Sequence, residues 1–237
     1  MIVSEIFAGL QGEGPTLGTP SVFLRLSGCN LNCVFCDTLD VWTSGKAMTP
    51  EQVANAILGF EQIPKVMLES GSAHLVITGG EPLMPHNHTE LVAVLDILAQ
   101  ELNAHYPYVE IETNGTQKLG KFTTSPSGYT SQINCSPKLL NSKEPSNKRF
   151  NREVLEEIAQ QSNSIFKFVI SSPEDWDEIE NSFLPIIPTS KIYLMPAGIN
   201  REELLKNSKL VWDLALLYGV RATTRLQTIT WDNMHGK

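Results

Sequence analysis

The chain has 237 residues, 41% of them hydrophobic, and a formal charge of −8 from 26 acidic and 18 basic side chains. That length accommodates one or two domains with a sizeable core, and no apolar run approaches the roughly 20 residues that a membrane-spanning helix needs. The acid excess excludes a general nucleic-acid or anionic-membrane surface, because such surfaces use basic clusters to neutralise phosphates; individual arginines and lysines can still read a small anion.

Met1 leads into Ile2-Val3-Ser4-Glu5 with no basic stretch and no long apolar run before Gly9. No secretory or transit segment is expected, and a reducing, cytoplasmic setting follows. Leu10-Gln11-Gly12-Glu13-Gly14 reads as a turn, and Val22 to Leu26 as a strand. Cys29, Cys33 and Cys36 then form a C-x3-C-x2-C cluster with Phe35 before its last member. Cys33 and Cys36 are too close to close a useful disulfide loop, so the clustering favours a metal. Cys135 stands alone and is expected to be a buried thiol.

Thr49-Pro50-Glu51-Gln52 supplies an N-cap, a proline at the first helical position and a capping-box glutamine, predicting a helix to about Phe60. Strands are predicted at Leu75 to Thr78, Tyr108 to Glu112, Ile133 to Cys135, Ile165 to Ile170, Ile192 to Met195 and Val220 to Leu226. Helices fit Glu90 to Leu102, Arg152 to Gln161, Pro173 to Ser182 after an N-cap at Ser172, and Arg201 to Tyr218. The polar stretch from Leu119 to Ser131 does not suit a covering helix and is expected to leave part of the sheet open. Alternating strands and helices make this an α/β chain with a mainly parallel sheet, and too few units are visible for a complete eight-unit barrel.

In parallel α/β sheets, ligand sites gather beyond the C-terminal ends of the strands. The cysteine loop follows Leu26, Gly79-Gly80-Glu81-Pro82 follows Thr78, Thr113-Asn114-Gly115 follows Glu112, Ser136-Pro137-Lys138 follows Cys135, and Pro196-Ala197-Gly198 follows Met195. Loops of this kind on one edge predict one site. A structural zinc site needs four protein ligands, whereas a 4Fe–4S cluster on three thiolates leaves one iron for a small molecule.

The cysteine triplet and Gly79-Gly80-Glu81-Pro82 resemble the radical S-adenosylmethionine (SAM) superfamily. The resemblance implies an incomplete, TIM-like barrel over residues 1–237 as one radical SAM domain, with a substrate loop at 9–20 and a cluster loop at 27–48. Cys29, Cys33 and Cys36 would ligate a 4Fe–4S cluster and SAM would occupy the fourth iron. Gly80 would let the backbone approach the amino-acid part of SAM, which a Cβ would obstruct.

Leu10-Gln11-Gly12-Glu13-Gly14, Arg25, Cys36-Asp37-Thr38 and Ser136-Pro137-Lys138 together resemble the 7-carboxy-7-deazaguanine synthase family. That likeness implies a lyase of queuosine biosynthesis, contracting the ring of 6-carboxy-5,6,7,8-tetrahydropterin with loss of ammonia. It implies substrate contacts from Leu10, Gln11, Gly12, Glu13, Arg25, Thr78 and Glu112, with Arg25 on the substrate carboxylate and Glu112 orienting the pterin or moving a proton. It places SAM against Phe35, Cys36, Asp37, Gly80, Ser136, Pro137, Lys138, Met195 and Pro196, and a magnesium ion on Thr38. The tail from Leu226, including Gln227 and Trp231, resembles the family's substrate-covering segment. A flavodoxin or ferredoxin electron donor and a homodimer are further implications. The competing readings are a glycyl-radical-enzyme activase and a noncatalytic zinc-binding module.

Overall fold

The computed structural model describes residues 1–122, 129–234 and 236. It opens with a hairpin of β1 (Ile2–Leu10) and β2 (Pro20–Leu26), whose connecting loop carries a 3-10 turn at Gly14–Thr16. After the cysteines come α1 (Leu39–Trp42), β3 (Lys46–Ala47), α2 (Pro50–Leu58) and α3 (Lys65–Glu69). The chain continues through β4 (His74–Gly79), α4 (His88–Glu101), β5 (Tyr108–Thr113), β6 (Gln132–Cys135), α5 (Ser146–Arg149), α6 (Arg152–Gln160) and β7 (Ser164–Ile170). It ends with α7 (Asp175–Glu178), β8 (Ile192–Pro196), α8 (Arg201–Tyr218), β9 (Arg221–Ala222) and α9 (Leu226–Trp231).

One sheet runs β3-β1-β2-β4-β5-β6-β7-β8-β9. Strand β1 is antiparallel to β2 and β3, and every pairing from β2 onward is parallel. The sheet has β3 and β9 at its edges, giving the expected α/β partial barrel rather than a closed one.

Strand alternation gives the two faces opposite chemistry. Leu24, Leu26, Ile77, Ile111, Ile133 and Phe168 join a core with Val53 of α2, Leu91 of α4, Leu155 of α6 and Val211 of α8. Each such fully buried aliphatic side chain contributes roughly 1.5–3 kcal/mol relative to exposure. The intervening positions, among them Arg25, Thr78, Glu110, Glu112, Asn134 and Lys167, fall on the other face by register. Helices therefore cover one face, and the other is left for a polar interior.

Several elements depart from the sequence reading. Strand β1 was not predicted: Ser4, Glu5 and Gly9 dilute its apolar pattern, yet it pairs along most of β2. Of the strand expected at Val220 to Leu226, only Arg221–Ala222 forms, because Thr223 and Arg225 turn their side chains to distant loops. The helix expected at Pro173 to Ser182 begins at Asp175, whose Oδ2 accepts from the amides of Ser171 and Ser172, and continues into a π-turn at Ile179–Phe183. Ser172 is thus not its N-cap. Within 119–131, residues 123–128 lie outside the described residues; Leu119 and Phe122 are fully buried among the core residues.

Candidate active site

The polar face and the loops beyond the strand ends line an open-mouthed cavity of about 510 Å³, a size suited to a small molecule. Its rim comes from the cysteine loop after β2, Gly80 after β4, Asn114 after β5, Ser136 and Lys138 after β6, Gly198 after β8, and Arg225 and Gln227 beyond β9. The loop between β1 and β2 arrives from the opposite edge. Leu10 pairs with Pro20, and Ser21 with His74, at the beginning of the parallel strands.

That loop is fastened to the floor by acids and amides. Gln11 Nε2 donates to Glu110 Oε2 at 3.1 Å and to Glu112 Oε1 at 3.3 Å. Asn134 Nδ2 donates to the same two oxygens at 2.8 and 2.9 Å. Thr16 Oγ1 donates to Glu110 Oε2 at 2.9 Å, and His74 Nδ1 lies 2.6 Å from Glu110 Oε1. Lys167 Nζ stands 2.6 Å from both Glu13 Oε2 and Glu112 Oε2.

Buried charge is tolerated only with such partners. Burial pushes the Glu110 carboxyl up, but donors from His74, Thr16 and Gln11 outweigh it and hold the group below its ordinary range. Burial acts on Glu13 in the same sense and is overcome by Lys167 and Arg225, leaving it lowered. At Glu112 burial prevails over Lys167, and the carboxyl is raised. Burial would lower Lys167, yet Glu112 and Glu13 together hold it above its usual range.

The cysteine loop is latched from several sides. Asn32 N donates to Glu144 Oε1 at 2.7 Å, Val34 N to Ser142 O at 3.1 Å and Cys36 N to Cys33 O at 3.1 Å. Buried Arg149 holds the neighbouring chain by donating to Lys138 O at 2.9 Å and Glu144 O at 3.1 Å. Gly80 N donates to Leu26 O at 3.1 Å and Glu81 N to Gly28 O at 2.9 Å, while fully buried Glu81 accepts from Thr113 Oγ1 at 2.8 Å and Asn114 N at 2.7 Å. A Cβ on Gly80 would stand 2.1 Å from Gly28 O and 2.8 Å from Cys29 Cβ. The glycine is thus required by contact between the two loops themselves.

Cys29, Cys33 and Cys36 share one wall of the cavity, and none is in a disulfide. Among the described residues no three His, Cys, Asp or Glu side chains are grouped as a single metal ion would need. The donor set suits a polynuclear iron–sulfur cluster. Burial pushes the Cys29 thiol up to about 11 and raises Cys33, while Lys138 opposes both shifts. Loading iron would therefore release protons from these thiols. Leu31 N at 3.4 Å and Asn114 Nδ2 at 3.9 Å already point at Cys29 Sγ, and Lys138 supplies positive charge beside the wall.

Leu10, Gln11, Gly12, Glu13, Arg25, Thr78 and Glu112 all border this cavity, as do Phe35, Asp37, Thr38, Gly80, Ser136, Lys138 and Met195. Pro137 and Pro196 stand beside the lining residues without bordering it themselves. Arg25 Nε is 2.7 Å from Glu5 Oε1, and Thr38 Oγ1 is 3.8 Å from Cys36 Sγ. In the tail, Gln227 borders the cavity and Trp231 does not. Cys135 is fully buried in the apolar core and does not border the cavity that the other three cysteines line.

Sequence reasoning missed Lys167, Asn134, Glu110 and Arg225. The signal for Asn134 and Glu110 was a polar residue recurring every second position in otherwise apolar strands, as in Glu110 and Glu112 or Gln132 and Asn134, and for Lys167 a lone charge inside the apolar run Ile165 to Ile170. Arg225 offered no local signal. Thr224 Oγ1, Arg225 Nε and Gln227 Oε1 are buried without a hydrogen-bond partner, so the tail retains unused polar capacity at the rim.

The radical SAM superfamily profile matches residues 24–124. A 7-carboxy-7-deazaguanine synthase from Pyrobaculum aerophilum is 34% identical, the alignment covering 99% of this chain and 96% of that protein. Another from Halobacterium salinarum is 32% identical, covering 98% of this chain and 90% of the relative. Among solved structures, QueE from Escherichia coli has the same fold, with a TM-score of 0.64, 22% identity, and coverage of 95% of this chain and 93% of that one. SuiB from Streptococcus suis, bound to S-adenosylmethionine, matches with a TM-score of 0.51 and 15% identity over 85% of this chain and 45% of its own.

Proposed function

This chain belongs to the 7-carboxy-7-deazaguanine synthase family of radical SAM enzymes, and we propose that it contracts the ring of 6-carboxy-5,6,7,8-tetrahydropterin to 7-carboxy-7-deazaguanine with loss of ammonia. The observation that carries this reading is that the three-cysteine wall and the acid–amide floor belong to one cavity. Cys29, Cys33 and Cys36 would hold a 4Fe–4S cluster, which together with SAM would supply hydrogen-atom abstraction.

The protein's part is to bind, orient and exclude water. Glu13, Gln11 and Glu112 present oxygen and amide groups to the donor–acceptor edge of a pterin, while Arg25 meets the substrate carboxylate. Thr78 and Leu10 to Gly12 border the same ring. Phe35, Asp37, Gly80, Ser136, Lys138 and Met195 enclose SAM, with Pro137 and Pro196 shaping the loops on either side. Glu112, ionised at rest beside Lys167, carries a raised pKa because of its burial, which suits it to take up a proton transiently during rearrangement and release it again.

Thr38 would hold Mg2+ only together with substrate and water, because a single neutral hydroxyl is too weak a ligand by itself. A flavodoxin or ferredoxin supplies the electron, and the enzyme works as a cytoplasmic homodimer. The acid–amide floor opposite the three cysteines favours a small polar molecule over the protein glycine of an activase, and a zinc module has no use for it.

The test is an anaerobic product assay with reconstituted iron and sulfide, SAM, reductant and the carboxypterin, with and without magnesium. Formation of the deazaguanine, lost in Cys33→Ala and strongly reduced in Arg25→Ala and Thr38→Ala, is the expected result. Full retention by both substrate-site variants would overturn the assigned contacts, and absence of product from the wild type would overturn the function.

A further inference from the structure

We propose that Lys167 is a positioning residue of this site: it holds the carboxylates of Glu13 and Glu112 ionised and aligned, so that the floor accepts a planar heterocycle presenting adjacent N–H donors along one edge. The inference rests on the functional reading above and deepens it.

Lys167 lies in β7 between Phe166 and Phe168, both fully buried on the opposite face. Its side chain is 1% exposed, and lysine is almost never this buried unless it is paired. Its ammonium is 2.6 Å from Glu13 Oε2, on the substrate loop, and 2.6 Å from Glu112 Oε2, on β5. One cation thus fastens the loop to the sheet and sets the spacing of two acids.

The acids are not equally engaged. Glu112 Oε1 already accepts from Gln11 and Asn134, at 3.3 and 2.9 Å. Among the described residues, Glu13 Oε1 accepts a single 3.3 Å bond, from Gln227 Nε2, so it is the better acceptor for an incoming N–H. Two neighbouring carboxylates cannot easily both remain ionised, because each like charge disfavours the other. With the ammonium between them both stay acceptors; without it, one takes a proton and becomes a donor, mismatched to a ring edge that itself donates. An edge with an exocyclic amine beside a ring N–H, as in a 2-amino-4-oxopyrimidine, is the chemical class that meets a carboxylate in this way.

The test uses anaerobically reconstituted holoenzyme with Lys167→Met, Lys167→Arg, Glu13→Gln and the Lys167→Met/Glu13→Gln double variant. Lys167→Met is expected to raise KM for the carboxypterin by about tenfold or more, with KM for SAM and the SAM-dependent change in the cluster's EPR spectrum preserved. Arginine is expected to restore part of the loss, since it keeps the charge but not the compact geometry. If Lys167 acts through Glu13, the double variant is no worse than the poorer single variant. An unchanged carboxypterin KM in Lys167→Met, a parallel rise in KM for SAM, or single-variant effects that multiply in the double variant would each overturn the proposal. Should Lys167→Met fail to fold, the same cycle with Lys167→Arg decides. A wild-type enzyme that makes no product rejects the functional reading itself, whereas active wild type with indifferent Lys167 variants rejects this inference alone.

Discussion

Arg225 Nη1 donates to Asp37 Oδ2 at 2.7 Å, joining the approach to α9 to the residue that follows Cys36. The same guanidinium donates to the Gly198 carbonyl, and Leu226 N donates to Gly12 O at 2.9 Å. The C-terminal segment is therefore tied to the cysteine loop, the loop after β8 and the loop between β1 and β2 at once.

The two sides of that arginine should differ in what they contribute to stability. Arg225→Ala strands a buried carbonyl and removes packed side-chain volume, and is expected to cost about 1–3 kcal/mol. Asp37→Asn should cost less than about 1 kcal/mol, because the Asp37 side chain is 44% exposed and its charge is screened by solvent. Urea denaturation of the two apoproteins checks the order; equal losses would mean that the ion pair, rather than the carbonyl contact, is the main tie.

Glu110 is expected to govern part of the acid sensitivity. Its folded pKa lies below the ordinary value of 4.5, so between those two values the unfolded chain binds more protons and stability rises with pH. The contribution is complete above about pH 4.5 and is lost as pH falls through the folded value. Glu110→Gln turns an acceptor of four side chains into a partial donor and should cost roughly 3 kcal/mol at neutral pH. Denaturation curves from pH 7 downward should show the gap between wild type and variant closing in acid; a constant gap would deny the carboxylate this role.

The local grammar of the chain was legible where short-range physics decides it. Helix α2 begins as its capping box requires, with Thr49 Oγ1 accepting from Gln52 N at 3.3 Å and Gln52 Oε1 accepting from Thr49 N at 3.0 Å. Helix α8 runs over the predicted Arg201–Tyr218, with Asn200 capping it and Glu202 and Glu203 in its first turn. The loops after β2, β4, β5, β6 and β8 were also legible, since turn residues follow apolar strands. What was not legible depends on register between distant segments. Nothing near Lys167 in sequence says that Glu13, 154 positions earlier, will meet it, and nothing near Arg225 announces Asp37. Gly80 was read as clearance for a ligand, whereas its closest steric demand comes from Gly28.

The four cysteines should separate cleanly by iron content. Cys29→Ala, Cys33→Ala and Cys36→Ala each remove a thiol from the cavity wall and are expected to abolish stable cluster incorporation. Cys135→Ala should retain wild-type iron, since its thiol lies in the apolar core and burial raises its pKa well above the ordinary value. Its cost should appear as lowered stability of roughly 1–2 kcal/mol from the small void left behind. Iron and sulfide analysis after anaerobic reconstitution distinguishes the cases, and iron loss in Cys135→Ala would place that residue with the ligands.

Gly80→Ala should damage cluster assembly through the backbone rather than through the substrate. The added methyl would meet the Gly28 carbonyl at 2.1 Å and Cys29 Cβ at 2.8 Å, distances that no side-chain rotation relieves because the carbonyl belongs to the main chain. Either the loop after β4 or the cysteine loop must move, at a cost of about 1–3 kcal/mol. The Gly80 N to Leu26 O and Glu81 N to Gly28 O bonds hold the two loops at their present separation, so displacement is shared with Cys29. The expected outcome is a folded protein with reduced iron per chain and a thermal midpoint several degrees lower. If the Gly80→Ala enzyme instead takes up iron normally and shows only a higher KM for SAM, then the glycine serves the ligand, and contact with the cysteine loop is relieved elsewhere.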